Sequence, residues 1–435
     1  MKDIASPVFW ILLYLALVAA PLLVLLAGPT PAGAGRWWDF SMALGFAGIA
    51  VMGVQFALTA RFRRASAPFG IDIIYYFHRY MAVIGFGLLA AHYAVVRGAY
   101  PAALGPLNPL QASGYMSAGR TALVLFGLVL VTSLWRKPLR IGYDRWRVWH
   151  VLLTTAAFLL AVAHIEGVGY YARGWLWTGY TLFWVFLVVY VRLLRPWRML
   201  NEPYRVVGVR PERGQAWTVT LDPDGHPGLR FAPGQFAWLT LRGSPFRFGE
   251  HPFSISSSAA RSPRLEFTIK ELGDFTRTIK DIRPGETAYV DGPYGVFSVD
   301  RYPRAPGFVF VSGGVGIAPV MGMLRTLADR RDARPLLLVC ANARWEDVIY
   351  REELESLRPR LDLTLIHVLQ EPPPGWAGEH GFVTGALLQR VLPANRAELE
   401  YFLCGPRPMS ETAQQALHAM RVPLARVHFE LFDMV

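Results

Sequence analysis

The sequence predicts a multidomain membrane protein: a six-helix transmembrane bundle, then a small antiparallel β-barrel, then an α/β domain. Three observations predict this fold class. Apolar residues make up 53% of the 435 residues, and the long uncharged runs lie before residue 200. From Asn201 onward, charges, glycines and prolines recur at soluble-protein density. After Gly307, short alternating strands give way to strand–helix alternation. We therefore expect domains at 1–200, 201–302 and 303–435.

Six segments are apolar and long enough to cross a membrane, since the hydrocarbon core requires about 20 helical residues. They are Pro7–Ala27, Phe40–Ala60, Ile73–Val96, Ser117–Trp135, Val148–Ile165 and Trp175–Val191. The first also has features of a secretory signal peptide, because Lys2 precedes it and small residues follow it. Its apolar run exceeds the ~7–15 residues of a signal core, so we predict a retained helix.

Basic residues are unevenly distributed between the loops that join these helices. The richer set of loops carries eleven: Arg61, Arg63, Arg64, Arg136, Lys137, Arg140, Arg145, Arg147, Arg192, Arg195 and Arg198. The opposite set carries four: Arg36, Arg97, Arg120 and Arg173. Because cytoplasmic loops are the more basic, we expect both termini and the soluble half in the cytoplasm of an inner or plasma membrane. The net charge of +12 then has a topological cause, and no nucleic-acid partner is expected.

Four histidines lie inside the predicted helices, and residues 1–200 contain no others. His78 and His92 lie on the third helix and His150 and His164 on the fifth, each pair fourteen residues apart. Fourteen helical residues return to nearly the same face about 21 Å farther along. Because both helices run in one direction, His78 matches His150 in depth and His92 matches His164. A single membrane histidine is more often a polar contact between helices. Two matched pairs instead predict two stacked bis-histidine haem sites.

Two arginines lie beside the inner histidines. Arg79 and Arg147 are adjacent in depth to His78 and His150. They would either neutralise haem propionates or anchor the helices at the membrane surface. Both roles stay open.

The soluble half carries a loop suited to a phosphate. Before it, five alternating segments predict the antiparallel barrel: YRVVGVR, AWTVTLD, FAWLTLR, RLEFTIK and TAYVDGPYG. An apolar strand then leads into GGVGIAP, Gly313–Pro319, and a helix. Glycines let the backbone approach a phosphate, and the free N–H groups of a first helical turn, where Pro319 fits, favour an anion. Later strands at PLLLVCA, LDLTLIHVL and EYFLCGP predict a parallel sheet.

In this order, the features resemble the ferric reductase and NADPH oxidase superfamily, over nearly the whole chain. That family joins a six-helix dihaem domain to a ferredoxin–NADP reductase-like flavin and nicotinamide module. HPFSISS resembles its flavin-binding motif, with His251, Pro252, Phe253 and Ser254 in register. The resemblance implies that Phe253 lies against the flavin of FAD and that Ser254 hydrogen-bonds near its reactive nitrogen.

Three further motifs carry the same resemblance. IKELGDFT resembles the second flavin segment, GGVGIAP the pyrophosphate loop for the nicotinamide cofactor, and CGPRPM the segment whose cysteine lies close to the nicotinamide ring. The residues thereby implied in cofactor binding are Lys270, Gly273, Phe275, Thr276, Gly313, Gly314, Gly316, Ala318, Pro319, Cys404, Gly405 and Pro406.

The sequence departs from the family at two places. Family members often end on or near an aromatic residue that covers the flavin, but here the chain ends FELFDMV. We expect Phe432 to cover the flavin, with Phe429 as the alternative. The 2′-phosphate of NADPH requires a cation after the second parallel strand, where Arg344 stands, and Tyr350 is expected to stack on the adenosine. A plain surface arginine, with NADH as donor, is the competing interpretation.

The resemblance implies a path for electrons. NADPH would reduce FAD at the cytoplasmic face, and single electrons would pass to the inner haem, then to the outer haem, and leave on the far side. Because both axial ligands are histidine, O2 would be reduced to superoxide without binding iron. The loop Arg97–Arg120 contains no histidine, which disfavours a dedicated iron site. We expect O2 as acceptor, with a ferric chelate or a periplasmic partner protein as alternatives; the oligomeric state is not predicted.

Overall fold

The chain divides into two compact units, residues 1–196 and 197–435, called here the N-terminal and C-terminal units. The computed structural model describes residues 2–27, 35–62, 69–169, 175–247, 249–261 and 263–430. The N-terminal unit is helical, and the C-terminal unit contains two β-sheets.

Each predicted span of the N-terminal unit lies in a helix. The helices are α1 (Lys2–Ala27), α2 (Arg36–Thr59), α3 (Ile71–Ala99), α4 (Gly114–Leu134), α5 (Tyr143–Val168) and α6 (Trp175–Val189). A shorter helix, Pro101–Leu104, lies between α3 and α4. Another, Arg195–Asn201, follows α6 after a π-helical turn, Tyr190–Leu194. Within the described residues, α2 to α5 are long and apolar enough to cross a membrane. The count of six spans therefore stays a prediction.

Several helices extend beyond the apolar runs that predicted them. Helix α5 begins at Tyr143, five residues before the predicted start at Val148. Its first turns carry charged side chains, which hydropathy places outside the bilayer although the backbone hydrogen bonds continue through them. Hydropathy thus marks the part of a helix that lipid can surround, not its ends.

Helix α2 is the most enclosed part of this unit among its described helices. It packs along α3, while α4 packs along α5. Close approach depends on glycine: a Cβ on Gly48 would lie 2.8 Å from Leu89, and one on Gly53 would lie 2.8 Å from Trp184. In contrast, α3 and α4 expose large apolar side chains such as Ile84 and Val124. Such faces favour lipid over water.

The C-terminal unit begins with an antiparallel sheet in the order β4-β3-β6-β1-β2-β5. Its strands are β1 (Tyr204–Glu212), β2 (Ala216–Pro223), β3 (Phe236–Leu241), β4 (Glu250–Ser254), β5 (Leu265–Lys270) and β6 (Thr287–Tyr294). Sequence patterning missed β4, because it contains Pro252; the proline is tolerated since β4 is an edge strand. One bridge between Ile255 and Phe267 joins the two edges. The closed barrel stays a prediction.

The second sheet is parallel, as predicted, in the order β10-β9-β8-β7-β11-β12. Its strands are β7 (Phe308–Gly313), β8 (Leu336–Asn342), β9 (Leu363–Leu369), β10 (Glu379–His380), β11 (Glu400–Cys404) and β12 (Val427–Glu430). Helices α7 (Ile317–Asp329), α8 (Arg351–Leu357), α9 (Gly385–Val391) and α10 (Arg407–Ala419) connect them. The strand order reverses direction between β7 and β11. A crevice for a ligand is expected at the carboxyl ends of those two strands.

Candidate functional site

The inner histidines, His78 of α3 and His150 of α5, lie beside each other. Their ring centroids are 6.3 Å apart, and the ring planes differ by 63°. Two axial Fe–N bonds of about 2 Å, plus ~1.1 Å from each nitrogen to its ring centre, would separate the rings of a bis-histidine haem by about 6 Å. The observed separation therefore fits one iron ion between the two side chains.

The outer histidines, His92 and His164, line one cavity of about 280 Å³. Neighbouring helices supply glycines beside both rings. A Cβ on Gly119 would lie 2.7 Å from the His164 ring, and one on Gly45 would lie 3.2 Å from Nδ1 of His92. Glycine at position 119 is therefore required for the His164 ring to lie where it does. Sequence analysis singled out neither glycine, because the contact joins residues distant in the chain.

Backbone carbonyls fix the tautomer of the outer histidines. Nδ1 of His92 lies 2.8 Å from the Ser41 carbonyl oxygen, and Nδ1 of His164 lies 3.0 Å from that of Tyr115. A carbonyl only accepts, so each Nδ1 carries the proton and donates it. The lone pair of each Nε2 is then available to a metal, as is typical of metal-binding histidines oriented by a second hydrogen bond.

A serine has the same role at the inner level. The Ser133 hydroxyl donates to the Val129 carbonyl oxygen at 2.6 Å and lies 3.2 Å from Nδ1 of His150. Because its one proton is given to Val129, it accepts from His150, whose Nε2 is again left unprotonated. Nδ1 of His78 is buried without a protein partner. Three of the four histidines are thus prepared as neutral Nε2 ligands, and this donor set fits b-type haem.

No larger ligand cluster in the described part of the chain competes with these pairs. Among the described residues, no three or more His, Cys, Asp or Glu side chains are grouped so that they could hold a metal ion. A bis-histidine haem requires only two protein ligands. The four histidines thus stay the predicted metal ligands.

In the C-terminal unit, the two predicted flavin segments come together. His251 of β4 stacks on Phe275, with ring centroids 3.9 Å apart and planes 20° apart. Phe253 lies nearly parallel to Phe275 at 6.1 Å, and Pro252 faces Trp238 across the β3–β4 ladder. The HPFSISS and IKELGDFT motifs therefore form one aromatic surface.

Polar groups beside this surface suit a bound nucleotide. Ser254 is 5% exposed, and its hydroxyl has no protein hydrogen-bond partner. Burying such a group unsatisfied costs ~1–3 kcal/mol, which a flavin could recover by hydrogen bonding. Lys270 ends β5, and a Cβ on Gly273 would meet nothing within 4 Å. The Thr276 hydroxyl accepts the amide of Gly273 at 2.8 Å, which fixes this turn. These residues fit FAD.

The two predicted nicotinamide segments also meet, at the carboxyl ends of β7 and β11. A Cβ on Gly313 would lie 2.8 Å from Pro406, and one on Gly405 would lie 2.8 Å from the Gly313 amide nitrogen. Gly314 has a φ of +54° and open space beside it, so the backbone is accessible there. The loop ends at Gly316, directly before α7. Ala318 and Pro319 are buried in the first turn of that helix. This crevice fits a pyrophosphate.

Cys404 is fully buried at the end of β11. Burial, and then the negative charge of Glu430, raise the pKa of the Cys404 thiol. The side chain is therefore a neutral thiol at physiological pH. Glu430 is 7% exposed and faces Cys404 across the β11–β12 ladder. Sequence analysis did not identify Glu430 as a neighbour of Cys404. The only signal in the sequence was an acidic residue at the end of a short strand.

The two residues expected at the adenosine have different surroundings in the structure. Arg344 is exposed and pairs with Glu371 at 2.7 Å, and this hydrogen bond raises the pKa of Arg344. Tyr350 is only 3% exposed, its hydroxyl contacts Thr268, and the Arg325 guanidinium lies 5.0 Å from its ring centre. Arg344 is accessible to a 2′-phosphate, whereas Tyr350 could stack on adenosine only after these contacts opened.

The aromatic residue that covers the flavin stays a prediction. Phe432, the expected one, lies outside the described residues. Phe429, the alternative, lies in β12 with 45% of its side chain exposed.

Three family models match the chain, in the order of the units just described. They are the ferric reductase like transmembrane component at residues 44–162, an FAD-binding domain at 218–298, and the oxidoreductase NAD-binding domain at 310–415.

Individual relatives match the C-terminal half. Ferredoxin–NADP reductase B of Sorangium cellulosum is 31% identical over 249 residues, which cover 53% of this chain and 98% of that protein. The glycine betaine monooxygenase reductase subunit of Pseudomonas aeruginosa is 32% identical over 210 residues, or 46% of this chain. The chain spans only 56% of that second relative's length. Among solved structures, the flavohem-like FAD/NAD binding domain of nitric oxide dioxygenase from Vibrio cholerae covers 53% of this chain and 97% of its own, with 21% identity and a TM-score of 0.47.

Proposed function

Because this chain belongs to the ferredoxin–NADP reductase family and has the domain architecture of ferric reductase/NADPH oxidase-like flavocytochromes, we propose that it moves electrons across a membrane. It is a membrane NAD(P)H oxidoreductase with FAD-binding and ferric reductase-type domains. The proposed path runs from cytoplasmic NADPH through FAD and two bis-histidine b haems to O2 on the opposite side. The product would be superoxide.

The arrangement of the histidine pairs carries this proposal. The ring centroids of His78 and His150 are 6.3 Å apart, which is compatible with one iron ion between them, and hydrogen bonds leave Nε2 of His92, His150 and His164 available. When bound, FAD exchanges a hydride with nicotinamide and single electrons with haem. The histidines would hold the haems at two depths, which an electron path across the bilayer requires.

The residues of the C-terminal unit would bind and orient the nucleotides. The loop at the start of α7 would bind the nicotinamide dinucleotide pyrophosphate through backbone N–H groups. The Ser254 hydroxyl would donate to the flavin, and the buried Cys404 thiol would add no charge beside the nicotinamide ring. Arg344 would exchange Glu371 for a 2′-phosphate, which favours NADPH over NADH.

The proposed ligand set bears on the choice of acceptor. If each haem iron were held by two of these histidines, they would leave it no open coordination site, and the acceptor would take electrons without binding iron. Dioxygen suits this route. A ferric chelate is the second candidate, and a periplasmic partner protein the third. The loop Arg97–Arg120 contains no histidine, which argues against a dedicated iron site.

Anaerobic absorbance of the detergent-purified, FAD-supplemented protein tests the function. We expect b-haem bands that reduce on adding NADPH and reoxidise at once after a pulse of air, with superoxide formed. Slow reoxidation in air but rapid reoxidation by a ferric chelate would make the protein a metal reductase. Reduced haem that neither acceptor oxidises would favour a partner protein. A folded preparation without haem bands would rule out the proposal.

A further inference from the structure

Arg325, in the third turn of α7, connects the antiparallel sheet to helices of the α/β domain in the C-terminal unit. Its side chain is only 13% exposed. One Nη donates to the Ser256 carbonyl oxygen at 2.7 Å and to Glu266 of β5 at 2.8 Å. The Nε and the other Nη donate to the two carboxylate oxygens of Glu353 in α8, at 2.6 and 2.7 Å. One buried guanidinium thus ties the antiparallel sheet to two helices of the parallel domain.

The same face of α7 contacts the chain directly after the flavin strand. The Ala259 amide donates to the Thr326 hydroxyl at 2.9 Å. A Cβ on Gly322 would lie 2.6 Å from the Ile255 carbonyl oxygen, so the helix and this segment are in close backbone contact. Ile255 follows Ser254, the last residue of β4. The middle of α7 therefore fixes the segment that leaves the flavin motif.

The first turn of α7 belongs to the other nucleotide site. It follows the loop from Gly313 to Gly316, which meets the Cys404 segment in the crevice. Backbone hydrogen bonds from residue i to i−4 link the first turn of a helix to its third. A displacement of its third turn against the antiparallel sheet would therefore displace the nicotinamide loop against the flavin segment.

We propose that Arg325 is a positioning residue for hydride transfer: it holds the nicotinamide loop in register with the flavin segment through α7. The inference rests on the proposed function, namely that NAD(P)H reduces FAD in this unit. Hydride transfer requires reacting atoms roughly 3–3.5 Å apart, and a misplacement of about 1 Å can cost on the order of 100-fold in rate. The planar guanidinium pairs with the Glu353 carboxylate in two-point geometry, which fixes orientation as well as distance.

The test is the rate of flavin reduction in the FAD-loaded full chain carrying Arg325→Met, measured by anaerobic stopped-flow with NADPH. We expect the limiting rate per bound flavin to fall at least tenfold, while the NADPH concentration at half-maximal rate changes less than threefold. Reduction of the same flavin by dithionite should be unchanged. Arg325→Lys keeps the charge but loses the two-point pairing with the Glu353 carboxylate, and it should give an intermediate rate.

Arg358→Met is the matched control, because Arg358 is an exposed arginine paired within its own segment with Glu355 at 3.0 Å. It should reduce flavin at the wild-type rate. Thr326→Val tests the same contact face if Arg325→Met fails to fold, and it should slow flavin reduction severalfold.

Two results would overturn the inference. One is a wild-type rate per bound flavin in folded Arg325→Met or, if that variant does not fold, in Thr326→Val. The other is a loss confined to FAD content or melting temperature, because a merely structural role predicts it. If NADPH does not reduce the flavin of the wild-type protein, the proposed function itself is refuted, and this inference with it. The wild-type trace distinguishes that failure from a failure of the inference alone.

Discussion

The two units hold their candidate cofactor-binding groups in opposite ways. In the N-terminal unit the donors are side chains, because helices in a bilayer use their backbone N–H and C=O groups internally. In the C-terminal unit the crevice offers mainly backbone, at Gly313, Gly314 and Gly405, where two parallel strands end. The membrane site should thus be most sensitive to lost side chains, and the crevice most sensitive to added ones.

Removing a histidine should have the largest effect. We expect His150→Ala to lower the haem content from two to one per chain and to slow NADPH-driven reduction of the acceptor by a factor on the order of 100 or more. Flavin reduction by NADPH should stay at the wild-type rate. Pyridine haemochrome spectra and stopped-flow absorbance measure the two quantities. His418→Ala, an exposed histidine on α10, is the control; two haems in His150→Ala would refute the assignment of this ligand.

Adding a methyl group to the crevice should have the next largest effect. In Gly313→Ala the new Cβ would lie 2.8 Å from Pro406 and 2.9 Å from the Met409 sulfur. The resulting overpacking of about 2 kcal/mol corresponds to a roughly thirtyfold rise in the KM for NADPH. Haem content should not change. Gly208→Ala adds the same methyl group to open space and should leave KM unchanged; an equal effect in both variants would show that the crevice does not depend on bare backbone.

Arg344 sharpens the comparison, because it is a side-chain donor proposed for the backbone-lined crevice. Arg344→Ala should raise the KM for NADPH about tenfold, because one charge-assisted contact is lost, and should leave the KM for NADH nearly unchanged. Steady-state kinetics with both cofactors measure the difference. Arg390→Ala, another exposed arginine paired with a glutamate, serves as control. Equal changes for NADPH and NADH would show that Arg344 does not bind the 2′-phosphate.

Gly119 is the converse exception, a glycine that shapes a side-chain site. In Gly119→Ala the Cβ would lie 2.7 Å from Cγ and Nδ1 of His164, so the ring must leave its present position. We expect an overpacking cost of about 1 kcal/mol, which corresponds to roughly fivefold weaker retention of the outer haem in detergent, the smallest effect of the series. Gly127→Ala on the same helix, where the nearest atom of Phe86 would be 3.4 Å away, should retain both haems. Similar haem loss in both variants would attribute the effect to α4 as a whole.

Much of this molecule could be predicted from local pattern. The apolar runs located the helices of the N-terminal unit, and the change from strand alternation to strand–helix alternation located the parallel sheet. The fourteen-residue spacing identified a shared helix face, and His78 does lie beside His150. The family motifs were recognisable because glycine, proline and cysteine positions there are dictated by local backbone geometry.

Other features depend on segments that meet only in three dimensions. No local pattern indicates that Ser133 fixes His150, that His251 stacks on Phe275, or that Tyr350 is covered by Arg325. The sequence predicted Tyr350 at the adenosine from its place after a strand, yet its hydroxyl contacts the other sheet.

The sequence by itself determined where most of the helices and strands form and which residue types are available, because periodicity and backbone preference act within a few residues. The tertiary structure decided which nitrogen of each histidine is left free, which glycines must stay bare, and which arginine connects the two nucleotide segments. These properties depend on contacts between residues that are 17 to more than 80 positions apart in the chain. Only packing brings such residues together.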